Sequence, residues 1–325
     1  AERAEGVRQF VAADPALSAA GYLDTAATWA AFASTAGARA SGQTTRATLD
    51  GIHQTPTSAG SAHQTSRRIA DLDAGAIGAQ AADRARRGVD PLDLDPGILE
   101  VVLGPEAVAT LLVFLAVYGF NAKAHLDGAS FARLDEQQFD RAIHLTEDPF
   151  DARGISLPFD AEGTPRTTLG LIEDGVTRAL AHDRRTAARA GTRSTGNGVP
   201  GGEAHGAIPT NLVLRAGTTP PEQMVASIER GLLVTQFHYC RVLDPRTQVV
   251  TGLTRNGTFL IEDGQVTRAV ADLRFTQPFV EALSGGNVLQ IGDDDRYADA
   301  EFGPGMVICP SMHLRRWHFT GGARG

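Results

Sequence analysis

Two near-identical stretches dominate the hydrophobic and polar pattern in the second half of the chain. Leu171–Asp183 reads LIEDGVTRALAHD, and Leu260–Asp272 reads LIEDGQVTRAVAD. Each begins with a short apolar run, reaches a Glu-Asp-Gly corner and continues with alternating character. Asp-Gly supplies the positive φ angles that a two-residue turn needs, so both copies are predicted to form β-hairpins.

Helical spacing of apolar residues appears in several other segments. Asp73–Arg87 is alanine-rich, is capped by Asp71 or Asp73 and is followed by glycine. Glu106–Gly119 follows a proline at the favoured first turn, and its apolar residues run all round, which predicts a buried helix. Ser130–Phe139 is predicted as a short helix.

Alternating and short apolar runs predict the strands. Ala20–Gln54 is expected to form two or three antiparallel strands, and Gln54–Ser66 a loop or an edge. Ile98–Leu103 is typical of a short buried strand, and Pro220–Arg230 is predicted as a helix. Further strands are predicted downstream: Leu232–Val242, Val249–Leu253, Thr258–Ile261, Val266–Val270 and Val307–Phe319.

The order of these elements predicts an α+β fold. We expect a mixed N-terminal α/β part, residues 1–90, followed by a mainly antiparallel β domain, residues 91–325, that contains the hairpin repeat. The turn-rich segment Val89–Pro96 is the predicted boundary. The chain begins at Ala1 rather than methionine, so an N-terminal part is expected to be absent or processed.

Composition narrows the functional classes. The net charge of −8 argues against nonspecific nucleic-acid binding. Val108–Phe120, the longest apolar stretch, is too short to span a bilayer. Cys240 and Cys309 are too few to form a disulfide framework, so a reducing cytoplasm is the expected compartment.

His238, Tyr239 and Cys240 form the most notable local cluster on a predicted strand. Alternation would place His238 and Cys240 on one face and Tyr239 on the other. A His/Cys nucleophilic pair is one interpretation. Ordinary packing is the other, because same-face neighbours on a strand are about 6–7 Å apart, beyond direct hydrogen-bond reach.

Two arginines near this cluster are candidates for a groove that binds a carboxylate. Arg241 and Arg255 could hold such a group at the groove edge. Arg255-Asn256-Gly257 is also a candidate type I′ turn. The chain carries no GxSxG, Walker loop, CxxC or HExxH motif.

One long segment resembles a known family. Gly231–Thr276, GLLVTQFHYCRVLDPRTQVVTGLTRNGTFLIEDGQVTRAVADLRFT, is similar to the TldD/PmbA (TldD/TldE) family of zinc metallopeptidases. Four shorter segments agree with the same family: Asp160–Gly175, Ser194–Gly198 (STGNG, which contains Asn197), Pro209–Leu212 and Leu314–Gly322. The resemblance covers the chain from about Ala20 onward.

The resemblance also shows what this chain lacks. Catalytic members carry HExxxH on the helix after a strand like Ile98–Leu103, where two histidines hold zinc and the glutamate acts as general base. Here Val113 and Phe114 stand at the His and Glu positions, and Tyr118 stands at the second His. The ligand cysteine expected within Asp293–Phe302 is also absent.

The resemblance therefore implies a TldE/PmbA-like subunit without a metal of its own. Zinc is expected in a TldD-like, HExxxH-bearing partner of a heterodimer, which would act on peptides or on a small amide such as a natural-product intermediate. His238, Tyr239, Arg241, Arg255, Asn256 and Asn197 are the candidate substrate-groove residues. The alternative is a stand-alone enzyme with Cys/His chemistry or a homodimeric small-molecule-binding protein.

Overall fold

The computed structural model describes residues 1–301 and 303–322. Phe302, the last residue of the segment in which a ligand cysteine was expected, lies outside the described residues, as do residues 323–325 at the end of the predicted C-terminal domain. Within the described residues, no helix combines the length and the apolar character that crossing a bilayer requires.

The N-terminal part is a three-stranded antiparallel sheet packed against two helices. Its elements are α1 (Glu2–Ala12), β1 (Ser18–Ala33), β2 (Arg39–Gln54), β3 (Ala59–Ser66) and α2 (Ala74–Arg87). Asp73 caps α2 by accepting a hydrogen bond from the amide of Ala76 at 2.9 Å, and Gly88 ends the helix, as predicted. Phe10 of α1 packs with Leu49 and Ala81 in a small core between the sheet and the helices.

The rest of the chain contains six helices and fifteen strands among the described residues. The helices are α3 (Pro105–Tyr118), α4 (Ala122–Leu126), α5 (Arg184–Ala190), α6 (Gly202–His205), α7 (Pro221–Ala226) and α8 (Phe279–Ala282). The strands are β4 (Gly97–Leu103), β5 (Leu145–Glu147), β6 (Leu169–Glu173), β7 (Val176–Thr177), β8 (Leu212–Leu214), β9 (Arg230–Val234), β10 (Phe237–Asp244), β11 (Val249–Thr254), β12 (Thr258–Glu262), β13 (Gln265–Ala269), β14 (Leu273–Pro278), β15 (Val288–Ile291), β16 (Arg296–Ala300), β17 (Gly303–Cys309) and β18 (Met312–Gly322).

These strands form two mainly antiparallel sheets, which confirms the predicted α+β class. The nine-stranded sheet has the order β10-β11-β14-β18-β4-β9-β12-β13, with β15 paired to β18. The six-stranded sheet has the order β16-β17-β8-β5-β6-β7. Parallel pairing occurs between β4 and β9 and between β8 and β17.

Both predicted hairpins are present, and each ends a different sheet. β6 and β7 pair across Asp174-Gly175, and β12 and β13 pair across Asp263-Gly264. All four turn residues have positive φ, between 49° and 77°. The repeat in the sequence therefore corresponds to two edge hairpins rather than to one continuous sheet.

Helix α3 lies in the main core and is buried along most of its length, as predicted from the apolar residues on all of its faces. Leu111, Leu112 and Leu115 have no exposed surface, and they pack in the cluster that joins both large sheets. Because α3 contacts β16 and β17 of one sheet and β4 and β10 of the other, it links the two sheets.

Five local predictions differ from the structure. Ser130–Phe139 forms turns rather than a helix. Ser130 Oγ donates to the carbonyl oxygen of Gly119, and Gln138 Nε2 donates to the carbonyl oxygen of Phe131. The predicted helix Pro220–Arg230 ends at Ala226.

The other three predictions concern strands and turns. The predicted strand Leu232–Val242 is interrupted at Thr235 and Gln236, and its two parts, β9 and β10, occupy separate places in the nine-stranded sheet. The predicted strand Val307–Phe319 is divided at Pro310, because proline has no amide hydrogen to donate to a neighbouring strand. The segment Arg255–Gly257 joins β11 to β12, which do not pair with each other, so it is not a hairpin turn.

Candidate functional site

A cavity of about 240 Å³ lies where the N-terminal sheet meets α3 and β16. Its ionisable lining comes from both sides of this junction: Asp50, His63, Arg84, Glu106, His238, Asp299 and Glu301. Four of these side chains are carboxylates and one is an arginine. We refer to this space, with the lining just given, as the acidic cavity.

Close packing of β3 on α2 brings Arg84 into the acidic cavity. A Cβ atom on Gly60 would lie 2.2 Å from the carbonyl oxygen of Ala81, so only glycine permits this approach. Arg84 Nη1 then donates to the carbonyl oxygen of Ser61 at 2.6 Å. Burial lowers the pKa of Arg84, although Glu106 opposes this effect.

Glu106 places a buried carboxylate at the first turn of α3. Its Oε1 accepts a hydrogen bond from Arg296 Nη2 at 2.6 Å, while its Oε2 is buried and accepts no hydrogen bond from the described residues. Burial alone would raise the pKa of Glu106, but the positive charges of Arg296 and Arg84 outweigh it and lower the pKa. Glu106 is therefore held as an anion, and the positive end of the helix dipole favours the same state.

Asp50, His63 and Asp299 converge on one point of the cavity wall. Their ligand-type atoms, one from each residue, all lie within 4.8 Å of one another. Burial and the neighbouring Glu106 raise the pKa of Asp50, and burial together with Asp50 and Glu106 raises the pKa of Asp299 to about 7. Burial lowers the pKa of His63 to about 4, so its imidazole is neutral at physiological pH.

The far end of α3 carries Val113, Phe114 and Tyr118, which the sequence resemblance aligned with the expected zinc-site positions. Val113 and Phe114 are buried, and Phe114 stacks on Tyr118 with ring centroids 5.8 Å apart. Phe114 also meets Phe279 edge to face at 6.1 Å. These positions offer neither imidazole nor carboxylate and are closed by aromatic packing, so they do not fit a zinc ion.

Four of the candidate groove residues lie at or near the mouth of the acidic cavity. His238 lines it, and burial followed by the positive charge of Arg255 lowers the pKa of His238. Tyr239 is 61% exposed, and the guanidinium of Arg241 lies over its ring at 4.6 Å. Nη1 of Arg241 also lies 3.9 Å from Oε1 of the cavity residue Glu301. All except Arg255 stand on β10, an edge strand of the nine-stranded sheet.

A bulge in β10 overturns the predicted alternation around Cys240. Tyr239 has a φ of 57°, and the pairing register of β10 with β11 shifts between His238 and Arg241. Phe237 and Cys240, three residues apart, are therefore both buried, whereas His238 is partly exposed. Burial raises the pKa of the Cys240 thiol, which opposes formation of a nucleophilic thiolate.

The other two candidates lie away from this mouth. Asn197 is 1% exposed, and its Nδ2 donates to the buried carboxylate of Glu147 at 2.9 Å, so its amide ties the segment Ser194–Gly198 to β5. Asn256 has a φ of 54° and lines a separate, more open cavity between β3, β12 and the β13–β14 connection. Asn256 does not line the acidic cavity.

The sequence reasoning did not single out the residues that make the cavity acidic. Asp299 lies far from Asp50 and His63 in the chain, and each of the three looks like an ordinary polar position. Glu106 did carry a usable signal, because it is the single charge on a helix predicted to be buried all round. A buried carboxylate requires a cationic or hydrogen-bonding partner, and its environment is therefore a candidate site.

Comparison with known families gives one match that spans most of the chain. The PmbA/TldA metallopeptidase C-terminal domain matches residues 96–321. A curated metalloprotease from Methanothermobacter thermautotrophicus is 24% identical over 229 residues, which cover 68% of this chain and 48% of the relative. A metalloprotease TldD homolog from Buchnera aphidicola is 25% identical over 158 residues, 47% of this chain and 30% of the relative. The aligned part of the chain thus spans less than half the length of these curated relatives.

Solved structures show the same fold at low sequence identity. TldE from Thermococcus kodakarensis superposes with a TM-score of 0.83 and 20% identity, covering 98% of this chain and 72% of that chain. A proposed modulator of a DNA gyrase from Thermotoga maritima gives a TM-score of 0.84 and 20% identity, covering 98% and 74%. At this identity the two structures support the fold alone.

Proposed function

This chain belongs to the PmbA/TldA metallopeptidase family, and from that premise we propose that it is the non-catalytic subunit of a heterodimeric metallopeptidase or amide hydrolase. A TldD-like, HExxxH-bearing chain would be its partner and would hold the zinc. The present chain would shape the groove that receives the substrate.

The far end of α3 is the observation that supports this role most directly. By the sequence resemblance, Val113, Phe114 and Tyr118 stand where catalytic relatives would carry His, Glu and His. Val113 is buried, and the ring of Phe114 packs against those of Tyr118 and Phe279. A zinc-bound water needs three protein ligands and a nearby general base. An aromatic cluster in the core supplies neither, so the chemistry is assigned to another chain.

The edge strand β10 supports a role in substrate binding. A peptide can add to an exposed sheet edge through main-chain hydrogen bonds, which give affinity with little demand on sequence. Tyr239 is exposed on this strand, and Arg241 lies beside it with its guanidinium over the ring. His238 stands where this edge meets the acidic cavity. A substrate laid along β10 would thus have an aromatic and a cationic contact.

The substrate class that we propose is a peptide or a peptide-like natural-product intermediate. Main-chain pairing suits any extended amide, and Arg241 suits a carboxylate.

Reconstitution with the partner tests this function. The lone chain, an HExxxH-bearing relative from the same source and their mixture are each incubated with a quenched fluorescent peptide library and with small amides. We expect the mixture to hydrolyse a substrate and the lone chain to hydrolyse none. Replacement of the HExxxH glutamate by glutamine in the partner should abolish turnover by the mixture.

Variants of the present chain separate groove formation from catalysis. Tyr239→Ala and Arg241→Ala should raise KM of the mixture severalfold while kcat changes little, because they remove ground-state contacts. Arg230→Ala, an exposed arginine at the start of β9, is the matched control and should leave KM unchanged. Hydrolysis by the lone chain that survives in the absence of any partner would refute the proposed function.

A further inference from the structure

We propose that Asp50, His63 and Asp299 form a binding site for a divalent transition-metal ion of the Zn²⁺ type. The site lies in the wall of the acidic cavity and uses none of the positions on α3 that correspond to the zinc ligands of the family. The inference goes beyond the proposed function, since it concerns a different set of side chains and a different part of the fold.

The three residues are brought together by tertiary structure. Asp50 is on β2, His63 on β3 and Asp299 on β16, so two ligands come from the N-terminal sheet and one from the six-stranded sheet. Asp50 and His63 are directly opposite each other in the antiparallel register of β2 and β3. Strand β16 packs against β3 and adds the third ligand, with all three ligand-type atoms within 4.8 Å of one another.

His63 is a buried side chain of the cavity lining, and one of its ring nitrogens has no hydrogen-bond partner among the described residues. Only 4% of its surface is exposed. Nε2 lies 3.2 Å from the hydroxyl of Thr65, which is in turn bonded to Thr48, so one edge of the ring is fixed. Nδ1 is buried without a hydrogen-bond partner among the described residues. A fixed, neutral imidazole with one unpartnered nitrogen is the form in which histidine binds a metal.

The charges around the cluster also favour a cation. Arg296 makes its ion pair with Glu106, and Arg84 donates to a backbone carbonyl. Among the described residues, neither Asp50 nor Asp299 makes an ion pair. Two partly buried carboxylates this close repel each other unless a proton or a cation lies between them. Oδ1 of Asp299 is buried and accepts no hydrogen bond from the described residues.

The donor set selects the class of metal. One imidazole and two carboxylates suit Zn²⁺, Mn²⁺ or a related transition-metal ion, whereas Mg²⁺ prefers oxygen ligands and retains most of its water. Three protein ligands would leave a fourth position for water or a substrate group. Because the ligands come from both sides of the junction, the ion would also tie the N-terminal sheet to β16.

Metal titration of the full chain tests the site. The purified protein is stripped with EDTA and titrated calorimetrically with ZnCl₂, MnCl₂ and MgCl₂, and its metal content is measured by mass spectrometry. We expect about one Zn²⁺ per chain, tighter binding of Zn²⁺ than of Mg²⁺, and a rise in Tm on adding Zn²⁺. Asp299→Asn and His63→Ala should each weaken Zn²⁺ binding by about 100-fold or more, since loss of even an outer-shell partner costs about 10–100-fold.

Asp299→Asn also separates loss of the site from loss of the fold. It removes like-charge repulsion, so the metal-free variant should melt at the same temperature as the metal-free wild type or higher, while its Zn²⁺-induced rise in Tm disappears. Asp293→Asn, an exposed aspartate outside the cavity, is the matched control and should bind Zn²⁺ like the wild type. The proposal is overturned if the wild type binds no Zn²⁺, if Asp299→Asn and His63→Ala bind it unchanged, or if Asp293→Asn is the variant that loses it.

These readouts do not depend on hydrolysis. A chain that binds Zn²⁺ at Asp50, His63 and Asp299 and hydrolyses nothing alone satisfies both proposals. Failure of the metal titration leaves the reconstitution result intact, and hydrolysis by the lone chain without metal in this site would refute the proposed function alone.

Discussion

The two ends of helix α3 have opposite chemistry. At its first turn, Glu106 is a buried anion in contact with Arg296, and Thr110, one turn later, still lines the acidic cavity. Toward its end, Val113 and Phe114 have almost no exposed surface and Phe114 packs against the rings of Tyr118 and Phe279. One helix therefore joins a polar site to an apolar core.

This difference shows which part of α3 lies among ionised side chains and which part lies in the apolar core. The resemblance would place metal ligands at the far end of the helix, and in this chain that end is part of the core. The near end retains a carboxylate, two arginines and the neighbouring Asp50, His63 and Asp299. The stability of the far end should depend on volume, and that of the near end on charge. Two substitutions test this division, and a third tests the Cys/His alternative on β10.

The largest effect is expected at the far end. Phe114→Ala should lower the free energy of unfolding by about 3–5 kcal/mol, because it leaves a cavity beneath Tyr118 and Phe279. Urea unfolding followed by circular dichroism measures the loss. Phe150→Ala is the control, since Phe150 is 59% exposed and should cost less than about 0.5 kcal/mol. A loss of similar size in both variants would show that the far end is not a packed core.

At the near end the expected loss is electrostatic. Glu106→Gln should cost about 3 kcal/mol near neutral pH, the lower end of the range for breaking a buried pair, because the side chain of Arg296 keeps 34% of its exposure. The double variant Glu106→Gln/Arg296→Met should recover part of this loss, since it no longer leaves Arg296 without its counter-charge.

The sign of the pH dependence distinguishes charge from packing at Glu106. The pKa of Glu106 is lowered in the folded state from its ordinary value of 4.5, so its contribution is fully present above that value and is lost as the pH falls through the folded-state pKa. The difference between wild type and Glu106→Gln should therefore shrink below about pH 4. A difference that is constant from pH 7 to pH 3 would mean that shape, and not charge, matters at this position.

The smallest effect is expected at Cys240. The reconstituted complex carrying Cys240→Ala should retain its turnover within about twofold, and the free energy of unfolding should fall by only about 1 kcal/mol. Burial raises the pKa of this thiol, so native Cys240 should also react slowly with a thiol reagent. Loss of turnover in this variant would favour the Cys/His enzyme that the sequence left as an alternative.

Local patterns predicted individual elements well where the reason for the structure is local. Asp-Gly predicted both hairpins because positive φ is a property of the turn residues themselves. Asp73 and Gly88 predicted the two ends of α2 for the same reason. The prediction for His238–Arg241 was wrong. A bulge where β10 pairs with β11 disrupts the alternation of side-chain faces that regular strand geometry implies.

The sequence by itself determined the α+β class, the two hairpins, the buried helix α3 and the family resemblance, since each depends on residues close together in the chain. Only the tertiary structure decided the acidic cavity. Its Asp50, His63 and Asp299 come from three strands and meet because β2 pairs with β3 and β16 packs against β3. Each of these polar residues looks ordinary in the sequence, and burial beside the others changes its pKa and makes the group a candidate site.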